Sequence, residues 1–184
     1  MTSGGGADAE IIVLDAMQLI HFSLAERLDV FRHLLVEKDC WTTRVVLEEV
    51  RRGTSSEPPL SGDDIDWLSI AELDTLPEIS CFATWVRRVG AGERNLGEAS
   101  VFAAAQLRGG IAITDDREAV KVGRAYGADV HGTIWLLAAA CRTGKLAEVA
   151  AGNLIDALRS TGLRLPCTGA EFPGYARRTG LLRE

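Results

Sequence analysis

The stretch that decides the fold is Ile11-Ile12-Val13-Leu14-Asp15, a short apolar run that ends in an acid. A second stretch of the same kind, Ile111-Ala112-Ile113-Thr114-Asp115-Asp116, follows much later in the chain. Short apolar runs of this kind are typical of strands that are buried on both faces of a parallel sheet. Open α/β sheets bind ligands at the carboxyl ends of their strands. We therefore expect Asp15 and the Asp115/Asp116 pair to lie at that edge.

Two helical segments are placed to add carboxylates to the same edge. The first, Thr43 to Arg52, carries Glu49, and the second, Leu96 to Leu107, carries Glu98. Two carboxylates about 4 Å apart repel by roughly 4 kcal/mol at an effective dielectric of about 20, so such a cluster implies a divalent cation or raised pKa values. Ligation by oxygen atoms alone favours Mg²⁺ or Mn²⁺.

Each acid also has a purely structural interpretation. Asp15 can cap the helix that follows it, and Asp115 or Asp116 can lie in a first helical turn and favour the positive end of the helix dipole. Glu98 follows Asn95 at the spacing of a capping box. The joint placement of the acids nevertheless favours a shared metal site over several unrelated caps.

Strand and helix patterns alternate along the chain and predict one α/β domain, a three-layer sandwich whose mostly parallel central sheet is flanked by helices. We place this domain at residues 10–160, after a flexible lead-in over residues 1–9. Loop composition marks an insertion near residues 53–66, and Trp67 to Leu73 is a candidate edge strand. Glycine and proline predict an irregular tail over residues 161–184.

Composition and charge exclude several classes of protein. The longest apolar run, Ile134 to Cys141, is far shorter than the roughly 20 residues that span a bilayer, and no secretory signal is visible. The four cysteines are widely spaced, which argues against a zinc site and a disulfide framework. The net charge of −6 argues against nonspecific coating of nucleic acid. We expect a cytoplasmic protein without membrane contact.

Four motifs stand in order along the chain: Ile11-Ile12-Val13-Leu14-Asp15-Ala16, Val45-Val46-Leu47-Glu48-Glu49-Val50, Asn95-Leu96-Gly97-Glu98-Ala99-Ser100 and Ile113-Thr114-Asp115-Asp116. A Gly132-Thr133 turn follows. In these motifs the chain resembles the PIN domain, in particular the small prokaryotic PIN-domain ribonucleases that include VapC-type toxins. The family's acid directly precedes an aliphatic residue, which favours Glu49 over Glu48. The first motif departs from the family's common form, because Ala16 stands where a hydroxyl residue is frequent.

The resemblance implies a metal-dependent endoribonuclease that hydrolyses RNA phosphodiester bonds with Mg²⁺ or Mn²⁺. Its catalytic and metal-binding acids would be Asp15, Glu49, Glu98 and Asp116, with Asp115 as an alternate or supporting ligand. It also implies homodimerisation and, for a toxin, inhibition by a cognate antitoxin. Two alternatives remain open: a DNA nuclease or phosphatase that uses the same acids, and a PIN-like binding module with weak or no catalysis.

Basic residues recur on the helix that follows the last motif. Arg117, Lys121 and Arg124 stand at i, i+4 and i+7 and therefore form one stripe. The stripe is a candidate RNA contact that would guide a phosphate backbone toward the metal. A solvated charged face is the alternative.

Overall fold

A computed structural model describes residues 9–53, 60, 62–90, 92 and 95–183. The strands in chain order are β1 (Ile11–Leu14), β2 (Asp39–Thr43), β3 (Ser69–Ala71), β4 (Ile111–Ile113) and β5 (Val130–His131). The helices are α1 (Ala16–Leu24), α2 (Leu28–Leu34), α3 (Arg44–Gly53), α4 (Leu76–Val89), α5 (Leu96–Arg108), α6 (Arg117–Ala125), α7 (Thr133–Arg142), α8 (Glu148–Ser160) and α9 (Phe172–Arg178), with a 3-10 turn at Gly62–Ile65.

The strands form one sheet in the order β3-β2-β1-β4-β5, and every pair is parallel. The predicted three-layer α/β sandwich is therefore confirmed, with β3 as the expected edge strand. The two acid-bearing strands are neighbours, because Leu14 of β1 lies opposite Ile113 of β4. This register brings the residues that follow both strands to one edge of the sheet.

Helix α5 packs on the middle of the sheet and contacts β1, β2 and β4 as well as α3 and α4. Its buried residues include many small ones, among them Ala99, Ala103 and Ala104, which let the helix approach the sheet closely. The first turn of α5 therefore carries Glu98 to the edge where β1 and β4 end.

The prediction of an irregular tail is wrong. Residues 161–183 contain α9, which packs against α8 and buries Phe172 completely. Gly152 and Gly169 meet backbone to backbone, since a Cβ atom on either would collide with the other residue's carbonyl. The glycines and prolines that suggested irregular structure therefore provide this close contact and the start of α9, where Pro173 lies in the first turn.

Two other predictions fall largely outside the described residues. Of the lead-in over residues 1–9, only Ala9 is described. Of the insertion near residues 53–66, residues 54–59 and 61 lie outside the described part. Within the described residues, no helix is both long and apolar enough to cross a membrane.

Candidate active site

One cavity of about 500 Å³ lies at the carboxyl edge of the sheet. Its wall includes every acid that the sequence analysis singled out: Asp15, Glu49, Glu98, Asp115 and Asp116. The wall also includes Met17, Arg117 and Glu118, which are close in sequence to these acids, and the remote Gly162–Arg164 segment. The cavity therefore collects carboxylates from two strand ends and two helices.

Asp15 does not act as a simple helix cap. It occupies the N-cap position of α1, but its side chain makes no capping hydrogen bond. Its carboxylate instead accepts a hydrogen bond from Thr114 Oγ1 at 3.0 Å, and its backbone N–H donates to Ile113 O at 3.1 Å. Asp15 is only 2% exposed, so the fold buries this acid at the base of the cavity.

Glu49 reaches the cavity because residue 97 has no side chain. A Cβ atom on Gly97 would collide with Glu49 Oε2 and would also approach Asp15 Oδ1 to 3.7 Å. Glu48 faces away from the cavity and pairs with Arg52 at 3.3 Å on the exposed side of α3. The two adjacent glutamates therefore point in different directions, and the one favoured by the motif lines the cavity.

A hydroxyl pair holds the two glutamate-bearing helices together. Thr43 Oγ1 lies 2.6 Å from Ser100 Oγ, which donates to Gly97 O at 2.7 Å. Thr43 Oγ1 also accepts a hydrogen bond from Val46 N at 3.1 Å and so caps the start of α3. Both hydroxyls are fully buried, so these contacts set the position of α3 against α5.

Asp115 and Asp116 have different surroundings. The carboxylate of Asp115 accepts hydrogen bonds from Thr133 N at 2.9 Å, from Thr133 Oγ1 and from Gln18 Nε2 at 2.9 Å. Gly132 leaves room for it, since a Cβ atom there would press on Asp115 Oδ1. Asp116 uses Oδ1 to cap α6 through Ala119 N at 2.8 Å. Protein donors therefore occupy both oxygens of Asp115, whereas among the described residues none donates to Asp116 Oδ2.

Burial raises the pKa values of four acids in the cavity, and repulsion by neighbouring acids adds to the rise for Asp15 and Glu98. The pKa of Asp15 rises to about 8, first because of burial and then because of the charge of Glu98. The pKa of Glu98 rises to about 7, again chiefly through burial, with contributions from Glu49 and Asp116. Burial also raises the pKa of Glu49 and of Asp115. The cluster resists carrying its full negative charge without a compensating cation.

The donor set fits a hard divalent cation, which prefers carboxylate oxygens. Glu98 Oε2 is buried without a hydrogen-bond partner among the described residues, so one ligand atom faces no competing protein donor. Among the described residues, no three His, Cys, Asp or Glu side chains are positioned to hold one metal ion in their present conformations. The chemistry of the residues fits Mg²⁺ or Mn²⁺.

The three basic residues Arg117, Lys121 and Arg124, called the α6 stripe from here on, divide between two regions. Arg117 lines the acidic cavity, whereas Arg124 donates to Val130 O at 3.3 Å, at the start of β5 and thus at the opposite edge of the sheet. Lys121 lies between them and is exposed. Arg117 and Arg124 are separated by about 10 Å along the helix axis, so only the first turn of the stripe reaches the cavity.

Several contributors to the cavity were missed from the sequence. Arg164 lies in the segment that was predicted to be irregular, and no motif distinguishes it. Gln18 and Thr133 hold Asp115 from α1 and α7. Thr133 could have been found, because the Gly-Thr turn was recognised, but its bond to Asp115 joins residues far apart in sequence.

Fold and cavity together define a parallel α/β sandwich with a carboxylate-lined site at the end of its sheet. A family model, DUF3368, which is described as a PIN domain, matches residues 11–170. The chain therefore belongs to the PIN-domain family, whose members are generally nucleases and typically use divalent metals. Comparison with curated proteins gives no match. The family resemblance drawn from the motifs is confirmed, and the VapC-type subgroup stays a prediction.

Proposed function

We propose that the protein is a metal-dependent endoribonuclease in which Asp15, Glu49, Glu98 and Asp116 bind Mg²⁺ or Mn²⁺. The observation that carries the proposal is the burial of Asp15 beside other carboxylates, which raises its pKa to about 8. Burying an acid among acids is costly unless a cation binds there. A structural cap would have no need of this arrangement.

The residues around the acids have different roles. Thr114 orients Asp15 through its hydroxyl, and Thr133 with Gln18 holds Asp115 as a support for the adjacent Asp116. When bound, the divalent cation polarises the phosphate and lowers the pKa of a coordinated water. The fold supplies the orientation of the carboxylates, and the cavity at the sheet edge admits the phosphate.

Two arginines at the cavity wall, Arg117 and Arg164, supply positive charge for the substrate backbone. Both are exposed, and neither forms an ion pair with a carboxylate within the described ranges. They are therefore available for charge-assisted hydrogen bonds to phosphate oxygens. RNA as substrate, homodimerisation and a toxin role with a cognate antitoxin rest on the family resemblance.

The test measures turnover of end-labelled single-stranded RNA, DNA of the same sequence, and p-nitrophenyl phosphate, each with Mg²⁺, Mn²⁺ or EDTA. We expect metal-dependent internal cleavage of RNA and its loss in the Asp15→Asn variant. Asp74→Asn is the matched control, because Asp74 is an exposed acid that does not line the cavity. Preferred cleavage of DNA or of the small phosphoester would overturn the assignment to RNA. Equal cleavage by the wild-type and Asp15→Asn proteins would overturn the assigned site.

A further inference from the structure

A second cavity, of about 430 Å³, lies at the edge of the sheet opposite the acids. Gly110 directly precedes β4 and Asp129 directly precedes β5, which places this cavity at the amino ends of those strands. Trp85 and Arg88 of α4, Gln106 of α5 and Tyr126 at the end of α6 supply its larger side chains. We call it the Arg88 cavity. It shares no lining residue with the acidic cavity.

Arg88 is held in the corner between two aromatic rings. Its guanidinium carbon lies 4.7 Å from the ring centroid of Trp85 and 4.5 Å from that of Tyr126. The two rings are 6.2 Å apart and nearly perpendicular, at 86°. Trp85 is itself fixed by a 2.8 Å hydrogen bond from Nε1 to Gln106 Oε1. The guanidinium is therefore positioned by cation–π contacts before any ligand arrives.

The charge of Arg88 is not matched by a carboxylate within residues 9–53, 62–90 and 95–183. Arg108 provides a contrast, because it stacks on Trp41 at 4.2 Å but also approaches Glu78 Oε1 at 3.9 Å. The N–H groups of Arg88 are free of acceptors in those ranges. A guanidinium held against aromatic rings keeps its N–H donors for an anion, and phosphate matches the fork of these donors.

The other walls favour a nucleotide over a simple anion. Tyr126 is 55% exposed, so part of its ring remains open for stacking by a base. Asp129 places a carboxylate in the same cavity. Its Oδ1 lies 2.9 Å from His131 Nε2, and its Oδ2 can accept a hydrogen bond from the amino group of a base. The volume falls in the range of small-molecule sites.

We infer that the Arg88 cavity binds a nucleotide, with Arg88 holding the phosphate and Tyr126 stacking on the base. The ligand is either a free nucleotide or one unit of a single strand. This site goes beyond the proposed cleavage reaction, because none of its residues lies in the acidic cavity. Helix α6 connects the two cavities, and Asp116 and Tyr126 are separated by about 15 Å along its axis.

The experiment is calorimetric titration of the wild-type protein with adenosine 5′-monophosphate in EDTA, which removes any metal-mediated binding at the acids. We expect binding that weakens by about tenfold or more in Arg88→Gln, the loss typical of a charge-assisted bidentate contact. Arg87→Gln is the matched control, since Arg87 is the exposed neighbour on the same helix and donates only to Thr84 Oγ1 among described residues. Its affinity should change by less than about twofold.

Tyr126→Leu provides a second test, at the residue proposed to stack on the base, and it should weaken binding by about tenfold through lost stacking. Absence of binding to the wild-type protein, equal losses in the two arginine variants, or unchanged affinity in Tyr126→Leu would each overturn the inference. Inorganic phosphate that bound as tightly as the nucleotide, or an acidic hexapeptide that bound in its place, would also overturn it.

A 2′-O-methyl RNA hexamer identifies the source of the nucleotide. Tighter binding of the hexamer than of the mononucleotide, lost in Arg88→Gln, assigns the site to an RNA strand, and equal affinity assigns it to a free nucleotide. Because all titrations are performed without metal, failure here leaves the cleavage proposal intact, and failure of cleavage leaves this site intact.

Discussion

Replacing Asp15 with asparagine in the metal-free protein should increase stability at alkaline pH while abolishing cleavage. Asparagine keeps an oxygen that can accept the hydrogen bond from Thr114 but carries no charge. The change therefore removes the cost of burying a charged group beside Glu98 and leaves the packing of the cavity base unaltered.

The size of the effect follows from the pKa of Asp15, which rises from 3.8 to about 8 on folding. A raised pKa means that the folded state holds the proton of Asp15 more tightly than the unfolded state does, so protonation of Asp15 stabilises the fold. This contribution to the free energy of unfolding is fully present below pH 3.8 and is lost as pH rises through 8. Each tenfold change in proton affinity is worth about 1.4 kcal/mol, which sets a ceiling of about 5 kcal/mol at pH 8. Because real interiors relax and behave as media of higher dielectric, we expect about 2 to 3 kcal/mol.

The assay is thermal unfolding in EDTA between pH 4 and pH 8. The wild-type Tm should fall more steeply with rising pH than that of Asp15→Asn, until the variant is about 5 to 10 °C more stable at pH 8. Added Mg²⁺ should raise the Tm of the wild-type protein and have little effect on the variant. The control Asp74→Asn should follow the wild-type curve. A variant that is less stable than the wild type at pH 8 would refute the reasoning and identify Asp15 as a structural group.

Three further predictions concern the support of the site. Gly97→Ala should push the Glu49 carboxylate aside and reduce cleavage by about tenfold or more. Thermal melting should show unchanged or greater stability, because alanine favours the helix. Gly62→Ala is the control, since a Cβ atom there meets nothing within 4 Å. Thr133→Val should cost about 1 to 2 kcal/mol in denaturant unfolding and slow cleavage, since it leaves Asp115 without one donor, and unchanged stability would contradict that bond. Alanine at all three positions of the α6 stripe should reduce the slope of log binding constant against log salt concentration, measured with a noncleavable RNA, by about one unit, because only Arg117 lies at the cavity. A loss near three units would show that the whole stripe contacts RNA.

The sequence predicted the parts of the site that local patterns encode. Apolar runs ending in acids predicted β1 and β4, and the parallel pairing of these strands then brought Asp15 close to Asp116. Adjacent helical residues cannot both face inward, and the resemblance to the family's motif favoured Glu49 over Glu48.

Local sequence patterns could not predict contacts between residues that are far apart in the chain. The capping interpretation of Asp15 is locally reasonable, and only the bond from Thr114, 99 positions away, shows where the carboxylate points. Arg164 has no periodic or motif signal, because the cavity obtains it from a turn after α8. The tail was misjudged for a related reason: glycine composition does not distinguish a loop from a backbone contact such as that between Gly152 and Gly169.

The turn at Gly162–Arg164 contributes to the cavity wall but carries none of the acids. Leu163 anchors it in the core, while Gly162 and Arg164 are exposed on either side. The turn can therefore change in length or charge without altering the carboxylates, the sheet or the hydroxyls that orient them. Proteins with this architecture can therefore diverge in substrate preference through this turn. Changes in a peripheral loop reshape the entrance of the cavity, while the reactive centre stays the same.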